Sequence, residues 1–176
     1  MHEFAVDPPI EERVGDLLER RGETVAVAEG CTGGLAGALL TSRPGASAYL
    51  DRVLVPYDYD AIRDLLAVSR ETLDAHGAVS EPAARETAQA ARDTADATWG
   101  VSTSGVAGPG GGTAETPVGT AFVGVAYAAP WGTEASYASV ERYAFDGDRA
   151  AVRDATVTAA LEDLVDAIER EEQTDY

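Results

Sequence analysis

The chain has 176 residues, 45% of them hydrophobic, and sets 13 basic against 31 acidic residues for a formal net charge of −18. That length and apolar content suit a single domain with a real core. Cys31 is the only cysteine, which excludes a disulfide framework, and no apolar run approaches the roughly 18 residues that a membrane-spanning helix needs. With no cationic leader ahead of an apolar stretch, the start from Met1 to Val6 reads as that of a cytoplasmic protein.

All the basic residues are arginine, and lysine is absent. The acids are spread along the chain rather than gathered in a tail. Self-repulsion at this charge density weakens a compact state in dilute buffer and is a lever used by halophilic proteins. At 1 M salt the Debye length falls to about 3 Å, which removes most of that penalty. The composition therefore predicts a salt-accumulating cytoplasm. With no basic patch to neutralise phosphates, nucleic-acid binding is not expected.

Asp7 ahead of Pro8 and Pro9 predicts a helix start with an acidic N-cap. Ile10, Val14, Leu17 and Leu18 share the face of that helix, and Gly22 stops it. Thr24 to Ala28 reads as a buried strand that passes through Glu29–Gly30–Cys31–Thr32–Gly33–Gly34 into a helix from Leu35 to about Ser42, which Arg43–Pro44–Gly45 breaks. Tyr49 to Tyr57 reads as a strand, followed by short helices around Asp60–Leu66 and Arg70–His76. Ser80 caps an alanine-rich helix to about Ala97, with Pro82 tolerated in its first turn.

Trp99 to Ser104 is strand-like and runs into the glycine-rich loop Gly105–Gly112. Val118 to Ala128 and Ala135 to Phe145 form an antiparallel pair about a turn near Pro130–Trp131–Gly132. Asp146–Gly147–Asp148 opens a last helix with Val157, Leu161, Leu164, Val165 and Ile168 on one face, and the tail from Glu171 to Tyr176 is expected to fray. Strands alternating with helices, closed by one late hairpin, predict an α/β fold: a three-layer α/β/α sandwich with a mostly parallel mixed sheet. No repeat or linker divides residues 1–176, whose core spans about 8–170.

Two glycine-rich turns carry the functional signal. In Gly30–Cys31–Thr32–Gly33–Gly34 the glycines allow close backbone approach, and the following helix offers free N–H groups to an anion or oxyanion, with the Thr32 hydroxyl as a further donor. The turn is neither a Walker A loop nor a dinucleotide fingerprint. Ser104–Gly105–Val106–Ala107–Gly108–Pro109 also follows a strand's carboxyl end, where open α/β sheets place their ligands. Leaving neighbouring parallel strands, the two loops would line one crevice.

The order of these segments resembles the C-terminal domain of the CinA (competence/damage-inducible) family, whose members include nicotinamide-nucleotide amidases. The matching pieces are Ala28–Gly34, Pro44–Tyr49, Tyr57, Gly77–Ser80, the Gly105–Pro109 loop, Pro117–Gly119 and Phe145–Arg149 with Arg153. They span about Val14 to Ile168. The resemblance implies the same three-layer fold, hydrolysis of the carboxamide of nicotinamide mononucleotide without metal or other cofactor, and a homodimer. It also implies a serine nucleophile activated by a tyrosine and a lysine, because an unaided hydroxyl is a weak nucleophile.

Tyr57 matches that tyrosine. Gly30, however, stands where the serine is expected and Ile62 where the lysine is, and no lysine elsewhere can restore the pair. Cys31, one residue along, is either a thiolate of lowered pKa at a helix N-terminus or a small buried apolar residue. His76 at a helix end and His2 near the terminus have no sequence-visible partner, and with one cysteine they match no zinc pattern. Arg63 is expected to be an exposed charge.

Gly30, Thr32, Gly33, Gly34, Ser104, Gly105 and Gly108 are the candidate ligand-binding residues. Arg149 either meets the ligand or pairs with a local carboxylate. Tyr57 and Cys31 are the catalytic candidates. Two functions of different class follow: an amidase working weakly through a rearranged site, or a catalytically silent member that binds a nucleotide or a partner.

Overall fold

The computed structural model describes residues 8–174. In chain order it contains α1 (Ile10–Arg21), β1 (Val25–Glu29), α2 (Leu35–Ser42), β2 (Leu50–Leu54), α3 (Tyr59–Leu66), α4 (Arg70–His76) and α5 (Glu81–Ala95). β3 (Trp99–Gly105), β4 (Thr120–Tyr127), β5 (Tyr137–Ala144) and α6 (Arg149–Thr174) follow, and a 3₁₀ turn at Ala46–Ala48 leads into β2. The strand order is β2-β1-β3-β4-β5. β1 lies parallel to β2 and β3, and β4 is antiparallel to β3 and β5, so β4 alone opposes the other four.

Alternation along β1 sets the layers. Val25 and Val27 face a large core built with Ile10, Val14 and Leu18 of α1, Leu40 of α2, and Leu161, Leu164 and Ile168 of α6. Ala26 and Ala28 face a smaller core with Leu66, Leu73, Ala83 and Ala91 from α3, α4 and α5. The expected three-layer sandwich is therefore present. Alanine on α5 and glycine on the sheet bring that helix unusually close: a Cβ at Gly100 would lie 2.1 Å from Ala88 O, and one at Gly124 2.7 Å from Ala84 O.

The helix ends follow local chemistry. Gly22 closes α1 in the left-handed conformation. The Ser80 hydroxyl accepts from Ala83 N–H at 3.3 Å and donates to Gly77 O at 2.8 Å. Pro9 occupies the N-cap position of α1 without a side-chain bond, and Asp7, expected there, lies outside the described residues, as does His2.

Several boundaries differ from expectation. β2 ends at Leu54 rather than Tyr57, because its only ladder partner, β1, turns away after Glu29. Tyr49 precedes β2 as a buried side chain whose hydroxyl donates to Leu40 O at 2.9 Å. α5 stops at Ala95, with Asp96 in a left-handed cap. α6 does not fray at Glu171 but continues to Thr174, flanked by the α1 pairs Arg13–Glu169 at 3.7 Å and Arg20–Glu172 at 3.6 Å.

Candidate functional site

The carboxyl ends of β1 and β3, adjacent and parallel, release the two glycine-rich loops side by side, and a cavity of about 240 Å³ lies beneath them. The Gly30 N–H donates to Thr103 O at 2.8 Å and ties the first loop to β3. A Cβ at Gly30 would stand 3.0 Å from that oxygen and 3.9 Å from Ser104 Cβ, so the glycine leaves room where β1 ends. The Cys31 sulfur packs against Gly105, 3.2 Å from where a Cβ on that residue would be.

The helix terminus after Gly34 is already filled. Glu29 is completely buried. Its carboxylate accepts the N–H groups of Gly34 at 2.9 Å, Ala36 at 3.1 Å and Gly37 at 2.8 Å. An internal anion thus satisfies the orphan donors and opposes the positive end of the α2 dipole. The seat expected for a ligand anion belongs to the chain itself.

Thr32 is equally turned inward. Its hydroxyl shares a 2.6 Å hydrogen bond with Thr103 Oγ1, and both residues are buried. Thr32, Gly33, Gly34 and Gly108 shape the loops without lining the cavity, whereas Gly30, Cys31, Tyr57, Ser104, Gly105 and Arg149 line it.

The first two turns of α6 brace both loops. Arg149 Nη1 donates to Gly108 O at 2.8 Å, and Arg153 Nη2 to Thr32 O at 2.6 Å. Arg149 therefore holds a loop carbonyl while lining the cavity. Arg63 pairs with Asp60 at 3.4 Å on the surface, and His76 is exposed at the end of α4, away from the cavity.

The remaining wall comes from the α3–α5 side. Pro56, Ile62, Ala78, Val79 and Thr87 line it. Tyr59 at the start of α3 accepts the Ala78 N–H at 3.2 Å and holds that turn against the helix. Glu29 and Val79 fell within segments matching the family but were given no role, and Thr87 was not singled out from the sequence; for Glu29 the available signal was an acid directly before a glycine turn and a helix start.

Strand alternation sends Ser102 and Ser104 to the same side. Ser102 Oγ donates to Ala84 O at 2.7 Å, but Ser104 Oγ is buried with no hydrogen-bond partner. Burial pushes the Cys31 thiol up to about 11, against the opposing pull of a backbone hydrogen bond and of Arg153 and Arg149. The thiol is accordingly protonated at neutral pH, contrary to the thiolate expectation. Tyr57 stands at the rim, 73% exposed. Of the lining groups, Ser104 Oγ has no hydrogen-bond partner, Thr103 Oγ1 is bonded to Thr32, and the Glu29 carboxylate is taken up by backbone N–H groups; among the described residues no set of three or more metal-ligating side chains is grouped to hold an ion. No described helix is long and apolar enough to cross a membrane.

Comparison with known proteins places this geometry. The family model described as the CinA C-terminal domain matches residues 7–168. A CinA-like protein of Anaeromyxobacter sp. (strain K) is 53% identical over 144 residues, covering 82% of this chain and 34% of the relative. One from Chlorobaculum tepidum is 49% identical over 140 residues, covering 80% and 33%. The chain thus spans about a third of the length of the curated relatives it matches.

Among solved structures, the competence/damage inducible protein CihA of Agrobacterium tumefaciens superposes with a TM-score of 0.84 at 38% identity, covering 96% of this chain and 99% of that one. A CinA superfamily protein of Klebsiella pneumoniae gives 0.83 at 32% identity, covering 92% and 96%.

Proposed function

Because the chain belongs to the CinA C-terminal domain family, we propose that its cavity binds a mononucleotide of the nicotinamide mononucleotide type and that hydrolysis of the carboxamide is weak or absent. The observation that carries this reading is the lack of a primed nucleophile around a well-formed cavity. Ser104 Oγ has no acceptor, the Cys31 thiol is held protonated, and the Glu29 carboxylate is committed to three backbone donors. Removing a nucleophile together with its activator leaves only residual catalysis from oriented donors.

The donors themselves support ligand binding. Arg149 lies at the exposed end of the cavity and keeps most of its five N–H groups beyond the one given to Gly108 O. It is the cation suited to a phosphate. Apolar side chains of Ile62, Val79 and Ala78 suit an aromatic ring.

The test is ammonia release from nicotinamide mononucleotide in molar KCl, comparing the wild type with the double variant Gly30→Ser/Ile62→Lys. Both positions line the cavity, and a serine Cβ would stand 3.0 Å from Thr103 O, so that carbonyl must give by a few tenths of an ångström. Binding by the wild type with turnover only in the double variant is expected; an active wild type refutes the reading.

A further inference from the structure

The two walls of the cavity are held by bonds of different strength. On the loop side, Arg149 and Arg153 pin the backbone through charged hydrogen bonds to Gly108 O and Thr32 O. On the other side α3 follows a segment, residues 55–58, that lies beyond the end of β2 and belongs to no helix or strand. Of the eight residues of α3 only the last, Leu66, is buried; Ile62 is half-buried and lines the cavity.

α4 is anchored more firmly. The Glu86 carboxylate on α5 accepts the Ser69 N–H at 2.8 Å and the Thr72 hydroxyl, and Leu73 is buried in the core that α5 shares. Between the two helices Ala67 ends α3 in the left-handed conformation, with φ 50°, a region that a side chain disfavours. At its other end α3 is tied down by Tyr59, which is 48% exposed and whose hydroxyl accepts the Ala78 N–H at 3.2 Å. Ala78 itself lines the cavity. A neutral hydrogen bond in so open a place contributes little, because water takes up both partners once it breaks.

We propose that α3 is a hinged cover of the cavity: it swings about Ala67 on the flexible segment 55–58, and the Tyr59–Ala78 bond is the latch that holds it shut. α4 and Leu66 stay docked on α5. The movement uncovers little apolar surface, since Asp60, Arg63 and Asp64 already face solvent and Leu65 is 51% exposed. Segments that open at low cost are the ones from which lids over binding sites are drawn. Opening removes Ile62 from the wall and widens the path to Cys31, which lines the same cavity. The cover works in this way whichever ligand the cavity takes.

Cys31 is the natural reporter, being the only cysteine. The experiment measures its alkylation by N-ethylmaleimide, at one fixed pH in molar KCl, together with residue-resolved amide hydrogen exchange. The proteins are the wild type, Tyr59→Phe and Tyr143→Phe, each checked for an intact melting transition. Tyr143→Phe is the control, because it removes a hydroxyl bonded to Asp163 at 2.7 Å on the α6 side of the sheet. In the wild type the helical amides of α3, from Ile62 to Leu66, are expected to show protection about tenfold or more below that of Leu73 to His76 in α4. Tyr59→Phe should speed both α3 exchange and Cys31 alkylation about fivefold, and Tyr143→Phe should speed neither.

Equal protection of α3 and α4 in the wild type overturns the hinge. Unchanged α3 exchange in Tyr59→Phe overturns the latch. Faster α3 exchange with unchanged alkylation shows that α3 does not cover the path to Cys31 and overturns the cover. Equal acceleration by Tyr143→Phe assigns the effect to general loosening and overturns the proposal as well. Should Tyr59→Phe not fold, the wild-type comparison of α3 with α4 still decides.

Discussion

Arg153 reaches from the second turn of α6 to the Thr32 carbonyl, donating from Nη2 at 2.6 Å. The bond joins the last helix to the loop that follows the first strand, 121 residues earlier. One turn before it on α6, Arg149 makes the equivalent bond to Gly108 O. The loops therefore take their relative position from one helix end. A hydrogen bond involving a charged group contributes about 1.5–3 kcal/mol. Arg153→Met is expected to lower the unfolding free energy by about that amount in a denaturant titration, with Arg153→Lys intermediate. Unchanged stability would detach α6 from the loop.

Glu29 should prove more costly to replace. Its two oxygens accept three N–H groups at the start of α2 while fully buried. Glu29→Gln keeps the size, but presents an amide N–H₂ to donors that need an acceptor. A loss of roughly 3 kcal/mol is expected, the upper range for charged hydrogen bonds, with a fall in amide hydrogen-exchange protection at Gly34, Ala36 and Gly37. Full protection there in Glu29→Gln would contradict the capping role.

Cys31 gives a pH-dependent signature. Burial raises its thiol from 9.0 to about 11 in the folded chain. A group whose folded pKa lies above its unfolded value stabilises the fold fully below the unfolded value, and that contribution disappears as pH rises through the folded one. Between about pH 9 and 11 the wild type should therefore lose stability relative to Cys31→Ala, and alkylation of the native thiol should accelerate over the same window rather than near pH 7. Fast alkylation at pH 7 would reinstate a thiolate.

The charge of −18 carried without lysine predicts a salt requirement. Screening shortens the Debye length from about 10 Å at 0.1 M to about 3 Å at 1 M, so the melting temperature should rise steeply across that range in KCl. A flat or falling melting temperature would remove the halophilic reading.

The sequence revealed what local chemistry determines. Gly33 and Gly34 ahead of α2 and Pro44 behind it fix that helix at Leu35–Ser42, and Ser69 and Gly77 bracket α4. Gly30, Cys31, Ser104 and Gly105 were legible as lining residues because glycine-rich turns after strand ends mark them, while Tyr57 and Arg149 came from the family resemblance.

What was not legible depends on meetings across the chain. The inward turn of Thr32 needs Thr103 opposite it. The occupation of the α2 terminus by Glu29 needs the path of the whole loop. The early end of β2 follows from β1 turning away, and the order of α6 beyond Glu171 lies beside an α1 pairing that no local pattern announces.

Steady-state ammonia release from nicotinamide mononucleotide by the wild-type protein in molar KCl tests the central claim most directly. The proposed lack of a primed nucleophile predicts a rate close to that of buffer. Turnover at an ordinary enzymatic rate of about 1 s⁻¹ or faster would contradict it.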